Sequence, residues 1–578
     1  MEPTNTEIAA ALDELGDLYE LDGAIVHRVV AYRSAAKAVR DAPVSVTALA
    51  RVGKATELPG IGRTIQEKVL ALADQGEIPA ALKLRAKFPP GLVEMTRLPG
   101  LGPKRARRLF EELGIDSLDA LRAAAEEHKI RELKGFGPRA EETLLARVNA
   151  AGAGSAHERV VLDRALAIGE RLVAALRAHP AADRVELAGS ARRMTDSVKD
   201  LDVIATAHDP GALARALVEH ELVESAGTAG EAGVRARTHT GVQVDLRIVA
   251  PNQFGNLLQH FTGSGPHNAA LREAAVRRGL HVSEYGVLED ATGVTHICAT
   301  EQEVYELLGL SYVEPELREN RGELDGARHG ELPRLIELAD IRGDLHSHTT
   351  ASDGKNSIEE MALAARERGY EYLAITDHSA SHGFGDDVSP EQLRRQIELV
   401  GEANADVEGI ELLAGSEVNV LPDGSLDYED ELLAELDWVI ASVHTSFGMG
   451  EQAMTERMIT AIEHPLVKAI GHPTGRLIGR REPYAIDLDA VFAAAARTGT
   501  MLEINANPDR RDLSDINARG AAQAGVRILI DSDAHRTDTL QNMRWGVATA
   551  RRAWLGAADV ANTRPWLELA KLGKQTPR

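Results

Sequence analysis

Six times between residues 344 and 535 the chain runs a short apolar stretch into a histidine or a carboxylate. The first is Asp344-Leu345-His346-Ser347-His348, with Asp353 close behind. The others are Ala374-Ile375-Thr376-Asp377-His378, Ala414-Gly415-Ser416-Glu417, Ala441-Ser442-Val443-His444, Ala469-Ile470-Gly471-His472 and Ile530-Asp531-Ser532-Asp533-Ala534-His535. Helical segments separate most of them. Successive β-α units with metal-binding groups at their strand ends predict a barrel-like α/β domain over residues 341–578, its site at the C-terminal ends of the strands. The candidate ligands are His346, His348, Asp353, His378, Glu417, His444, His472, Asp533 and His535. A lone strand-end histidine is usually a satisfied polar group, but nine such positions in succession point to metal-assisted hydrolysis. The nitrogen and oxygen donors, with no thiolate, suit Mn²⁺, Zn²⁺ or Fe²⁺. His382 and His464, the domain's two other histidines, read as solvated.

A second carboxylate group lies in the middle of the chain. Val185-Glu186-Leu187-Ala188 leads into Gly189-Ser190, then Arg192-Arg193, then Lys199-Asp200-Leu201-Asp202-Val203-Ile204. Residues i and i+2 of a strand share a face, so Asp200 and Asp202 stand side by side and repel each other unless cations bind. The run Val242 to Ile248 sets Asp245 between apolar neighbours, where an unpaired carboxylate is expensive. Three carboxylates on adjacent strands meet the requirement for two-metal phosphoryl transfer with Mg²⁺ (or Mn²⁺).

Nearer the N-terminus one phrase recurs: Leu58-Pro59-Gly60-Ile61-Gly62, Leu98-Pro99-Gly100-Leu101-Gly102 and Leu133-Lys134-Gly135-Phe136-Gly137, each ahead of an amphipathic run. The spacings of 40 and 35 residues disfavour a regular solenoid. A Gly-apolar-Gly turn lets a ligand backbone approach, and the next helix offers free amides, which together make a phosphate cradle. The alternative is three helix-helix turns with glycine caps. A net charge of -24 argues against a nucleic-acid partner only as an average. Residues 1–150 hold 22 basic and 22 acidic side chains, against 43 and 67 in the remainder.

At 578 residues the chain exceeds what one core organises. Its apolar stretches, such as Val491 to Ala496, fall well short of a membrane span. No secretory signal is visible, and the single cysteine, Cys298, excludes a disulfide framework, so a cytoplasmic protein without membrane contact is expected.

These motifs carry resemblances. The three turns resemble helix-hairpin-helix motifs, which hold the DNA backbone through main-chain amides; the glycines concerned are Gly60, Gly62, Gly100, Gly102, Gly135 and Gly137. Ala31 to Ala36 with Leu58 to Leu72 is similar to the lyase domain of the polymerase-beta type, which implies that Lys68 forms a Schiff base with an abasic-site sugar. The order Gly-Ser, Arg193, Asp-x-Asp and a later strand Asp resembles the nucleotidyltransferase superfamily. Phe261-Thr262-Gly263-Ser264, Asn268 and Glu284-Tyr285-Gly286 narrow the resemblance to the X family of DNA polymerases. It implies that Gly189, Ser190 and Arg193 hold the triphosphate and that Asn268 touches the base edge, with His260, Phe261 and Gly263 around the sugar. Asp200 and Asp202 then bind both metals, and Asp245 the one that activates the primer hydroxyl. His260 departs from the family's usual tyrosine. The nine ligands resemble the PHP (polymerase and histidinol phosphatase) domain, which implies a distorted barrel holding up to three transition-metal ions.

The expected architecture is multidomain: a lyase-like helical domain (1–85), a fingers-like helical domain with two helix-hairpin-helix motifs (86–150), an α/β nucleotidyltransferase palm (151–250), an α/β thumb (251–313), a charge-rich linker (314–340) and the PHP domain (341–578). This is the order of bacterial-type X-family DNA polymerases. It implies a monomeric repair enzyme that fills short gaps in primed double-stranded DNA with deoxynucleoside triphosphates. The PHP domain would supply 3′–5′ exonuclease activity and abasic-site cleavage. The rivals are a PHP phosphatase with a degenerate polymerase core and a non-enzymatic DNA-binding scaffold.

Overall fold

The computed structural model describes residues 2–96, 98, 101–151, 159–381 and 387–572; Gly100 and His382 lie outside the described residues. The chain divides into two compact units, each interrupted in sequence. The first takes residues 1–160, 164–187 and 199–250, the second residues 161–163, 188–198 and 251–578.

The first unit opens with helix Asn5–Leu21, started by a reciprocal cap in which Thr4 accepts from the Glu7 amide and Glu7 accepts from the Thr4 amide. Leu12, Leu15 and Leu18 turn inward against helix Val26–Asp41. In the hairpins the residue between the glycines is the anchor: Ile61, Leu101 and Phe136 are all buried. The glycine that follows each anchor faces outward. A β-carbon added at Gly62, Gly102 or Gly137 would meet nothing within 4 Å. Helices Arg63–Gln75, Pro103–Leu113 and Pro138–Ala151 begin directly behind them, two with proline at the first position, where no amide is lost.

The same unit holds a five-stranded sheet in the order Ala182–Leu187, Asp200–Ala207, Gln243–Ile248, Gly233–Thr238, Val223–Ala226. Only the second and third strands of that order run parallel, with Asp202 in register with Asp245. Inward Val203, Ala205, Val244 and Leu246 carry the alternation that turns the three aspartates to the other face.

In the second unit, helices Phe254–Thr262 and Gly265–Val276, a three-stranded antiparallel sheet and helix Glu301–Leu307 form the thumb region. The segment 314–340, expected as a linker, is folded instead. It contains helix Glu323–His329; its Leu317, Leu324, Ala327 and Leu335 join the thumb core, while Ile336 joins the barrel core. Three of its charges, Glu316, Arg318 and Glu323, are buried and paired rather than solvated, while Glu314, Asp325, Arg328, Glu331, Arg334 and Glu337 stay exposed. Arg318 donates to Glu301 at 2.6 Å, and Glu323 lies 2.7 Å from Nδ1 of His267.

Seven parallel strands follow in sequence order: Gly343–Asp344, Tyr372–Ile375, Glu411–Asn419, Trp438–Ser442, Ala469–Ile470, Met501–Asn505 and Ile528–Asp531. Ser347 pairs with Ala534, which brings the ends of the first and last strands together and nearly closes the barrel. The expected fold class holds, with one strand, Met501–Asn505, beyond the six ligand-bearing runs.

Candidate active sites

Six of the seven barrel strands deliver ligands near or beyond their C-terminal ends, Met501–Asn505 being the exception, so the nine side chains converge on one rim. Glu417 is at the centre. Its Oε2 lies 2.8 Å from His378 Nδ1 and 3.4 Å from His346 Nε2, and its Oε1 lies 3.1 Å from His444 and 2.9 Å from His472. Asp533 Oδ1 is 3.2 Å from His348 Nε2, and Asp353 Oδ1 is 3.2 Å from His535 Nε2. Ligand atoms fall into three overlapping groups: His348, Asp353, His378 and His535; His346, His348 and Asp533; His378, Glu417 and His444. His472 joins them through Glu417. His472 and Asp533 both adopt left-handed backbone, a local cost that a ligand cage holds in place.

The electrostatics are those of a cage built for cations. Burial opposes the charge of Glu417, yet His444, His346 and His378 hold its carboxyl well below the usual range. Burial likewise opposes protonation of His346, but Glu503, Glu417 and Asp533 outweigh it and raise its pKa. Burial with the neighbouring His535 and His378 pushes His348 down to about 3; burial with Arg510 takes His472 to about 3. His535 rises to about 9, because Asp353 and Asp533 overcome its burial. Nε2 of His346 and both ring nitrogens of His348 are buried without a well-formed hydrogen bond. Such orphaned nitrogens facing carboxylates fit divalent metal ions.

Two supporting carboxylates escaped the sequence reading. Glu503 accepts from the His472 amide at 2.6 Å and lies 2.7 Å from His346 Nδ1, which fixes that ring so that its other nitrogen faces the site. Its signal was a glutamate inside the apolar run Leu502 to Ile504. Asp377 accepts from the Thr349 amide and hydroxyl and from Ser352, pinning the turn between His348 and Asp353. His464, expected to be solvated, is partly buried and lies 3.1 Å from Asp430.

In the first unit, Asp200, Asp202 and Asp245 line an open trough of about 530 Å³ together with Ser225, Arg235 and Arg237. Asp245 Oδ2 accepts from Arg235 Nε at 3.2 Å and from Arg247 Nη2 at 3.0 Å. Oxygen donors only, on an open face, fit Mg²⁺. Lys68 is half-buried on helix Arg63–Gln75 and makes no ion pair among the described residues.

The second unit holds the remaining candidates. Gly189, in left-handed backbone, opens the short helix Gly189–Arg192 that carries the half-buried Ser190. Arg193 donates to Glu319 at 3.0 Å and to the Thr262 carbonyl at 2.5 Å, beside Gly263. Asn268 spends both ends of its amide internally, donating to the His260 carbonyl and accepting from Gln259. The His260 ring stands 3.9 Å from Glu284 and 5.6 Å, centroid to centroid, from the Phe261 ring; burial lowers its pKa.

Family models agree with this layout: a helix-hairpin-helix domain matches residues 3–78, a SAM-like helix-hairpin-helix tandem 92–149, a DNA polymerase beta thumb 257–319 and a PHP domain 344–507. A polymerase thumb and a metal-binding PHP barrel joined in one chain define the class, a DNA polymerase with a built-in PHP domain. The DNA polymerase/3'-5' exonuclease PolX of Bacillus subtilis is 38% identical over 560 residues, 96% of this chain and 97% of that protein. The chain belongs to that family, the bacterial X-family DNA polymerases. The barrel alone is also similar to smaller proteins. A probable phosphatase of Syntrophotalea carbinolica is 30% identical over 40% of this chain and 96% of its own, and one of Caldanaerobacter subterraneus 34% identical over 33% and 75%.

Proposed function

We propose that this chain is a gap-filling repair enzyme: a DNA-directed DNA polymerase with a 3′–5′ exonuclease, acting on gapped or primed double-stranded DNA with deoxynucleoside triphosphates. The observation that carries the reading is that one chain gathers two separate sets of candidate metal ligands, each suited to phosphate chemistry. Asp200, Asp202 and Asp245 would hold Mg²⁺ (or Mn²⁺), and Ser190 and Arg193 the triphosphate. The nine barrel ligands would hold up to three Mn²⁺, Zn²⁺ or Fe²⁺ ions. Bound metal supplies charge neutralisation at phosphorus and a hydroxide at neutral pH. Glu503 keeps His346 oriented, and Asp377 keeps the Thr349–Ser352 turn in place. The outward Gly62, Gly102 and Gly137 would bring helix amides to DNA phosphates, a sequence-independent grip that suits gap filling.

A 5′-deoxyribose-phosphate lyase step at Lys68 and cleavage at abasic sites extend the same reading, as does action as a monomer in the cytoplasm. No helix of the described residues is long and apolar enough to cross a membrane. The phosphatase and scaffold rivals are disfavoured by resemblance to a polymerase over nearly the whole chain, not the barrel alone. The test is one gel: a labelled duplex with a one-nucleotide gap, incubated with and without deoxynucleotides under Mg²⁺ and then Mn²⁺. Extension with nucleotides and shortening without them are expected; neither product would refute the reading.

A further inference from the structure

Three consecutive carbonyls of the loop Ala188–Val198 are held by arginines from the barrel, within the same compact unit. Arg552 Nη1 donates to the Arg193 carbonyl at 2.7 Å, and Arg511 donates to those of Met194 and Thr195, both at 3.0 Å. The Asp196 carboxylate accepts from Arg476 at 2.8 Å and stands 3.5 Å from Arg511 Nη1. Met194 has left-handed backbone here, a conformation that a methionine keeps only when its surroundings impose it.

Arg511 is built for this grip. It is 1% exposed, and its third donor, Nε, goes to Thr549 Oγ1 at 2.8 Å. Only a guanidinium fork offers parallel donors to two neighbouring carbonyls while a third donor anchors it from behind. The turn that presents Arg511 is itself fastened. Asn505 donates to Asp533 at 3.1 Å, and Asp512 accepts from the amide and hydroxyl of Thr474, two residues past His472.

We infer that Arg511, seconded by Arg552 and Arg476, is a positioning residue for the polymerase: it holds the Gly189–Arg193 loop in the shape that receives the incoming triphosphate. The barrel is then part of the nucleotide site as well as the seat of a nuclease. This inference rests on the proposed role of Ser190 and Arg193.

The test is single-nucleotide incorporation on gapped duplex by the full chain, with exonuclease activity measured on the same preparations. Arg511→Gln is expected to raise KM for the deoxynucleotide about tenfold, since charge-assisted bonds to the loop are lost, with kcat and exonuclease rate within about twofold of the parent. Arg511→Lys, which keeps one donor, should recover part of that loss. Asp196→Ala removes the contact from the loop side and leaves the barrel core intact; it should raise KM about threefold. If Arg511→Gln also loses exonuclease activity, the barrel has been damaged and Asp196→Ala decides. An unchanged KM in Asp196→Ala, or in any Arg511 variant that retains exonuclease activity, overturns the inference. Arg193→Ala separates it from its premise. If that variant also leaves KM unchanged, the loop is not the triphosphate site; if it alone raises KM, only the positioning role falls.

Discussion

The two candidate metal-ligand clusters are built in opposite ways. The palm offers three carboxylates on neighbouring strands of an open trough, with arginines on Asp245 and space for a substrate to complete the coordination. The barrel offers nine mixed ligands, mostly buried, already within contact distance of one another and braced by Glu503 and Asp377. The first reads as a site that assembles when DNA and nucleotide arrive, the second as a cage whose shape is part of the fold. An open oxygen site selects hard ions that keep their waters; a buried imidazole site selects transition metals and couples them to folding.

The largest effects should come from removing either cluster alone. Asp200→Ala with Asp202→Ala should cut primer extension by about a thousandfold or more and leave exonuclease activity within about twofold. His346→Ala with His348→Ala should do the reverse. Both are read on gapped and on single-stranded labelled substrates. A folded palm variant that lost both activities would contradict two separate centres. Chelation should sharpen the contrast: stripping metal should lower the melting temperature of the parent, but not of the His346/His348 variant.

A buried charge cluster with no metal role gives the next effect. Glu301 accepts from both Arg192 and Arg318, and although burial opposes its charge, those guanidiniums bring its pKa down to about 2. A carboxylate whose folded pKa lies below its unfolded value of about 4.5 adds stability above pH 4.5, and that stability is lost as pH falls towards 2. The depression amounts to about 3 kcal/mol. Chemical denaturation at pH 7 and pH 3 should therefore show a smaller loss of stability for Glu301→Gln than for the parent. Equal losses would mean that other carboxylates govern acid unfolding.

How much of this was legible depended on whether the signal was local. The strand-end ligands and the Asp-x-Asp pair were readable because backbone periodicity places them by short-range rules. So was the outward placement of Gly62, Gly102 and Gly137. Glu503 was missed because a carboxylate inside an apolar strand carries no mark of its partner, and His346 lies 157 residues away. The segment 314–340 was read as a linker for a related reason: charge looks solvated until its counter-charge is known. Arg318 finds Glu301 17 residues back, and Glu323 finds His267 56 residues back. The arginines on the Arg193–Asp196 loop are more remote still, with more than 300 residues between Arg511 and its acceptors.

Glu503 gives an intermediate test of the preformed cage. Glu503→Gln keeps the size and the bond to the His472 amide but loses the charge beside His346. Loss of such a supporting carboxylate should weaken metal affinity or exonuclease activity by about ten- to a hundredfold, with extension unchanged. Metal content after dialysis, measured together with rate, distinguishes lost metal from a misplaced one.

The smallest expected effect concerns the open site. Arg235 is 78% exposed on its side chain, yet its Nε sits 3.2 Å from the Asp245 oxygen that also meets Arg247. A cation bound at Asp245 must compete with that guanidinium, and an exposed ion pair of this kind is worth between about 0 and 1 kcal/mol. Arg235→Ala should therefore lower the Mg²⁺ concentration for half-maximal extension by no more than about fivefold, without changing the saturated rate. The direction carries the argument. A lower midpoint means that the arginine occupies the site between turnovers, as an open and unbraced cluster requires. A higher midpoint would mean that Arg235 helps to hold the aspartate in place, and the palm would then share the barrel's logic of a cage built before its metal arrives.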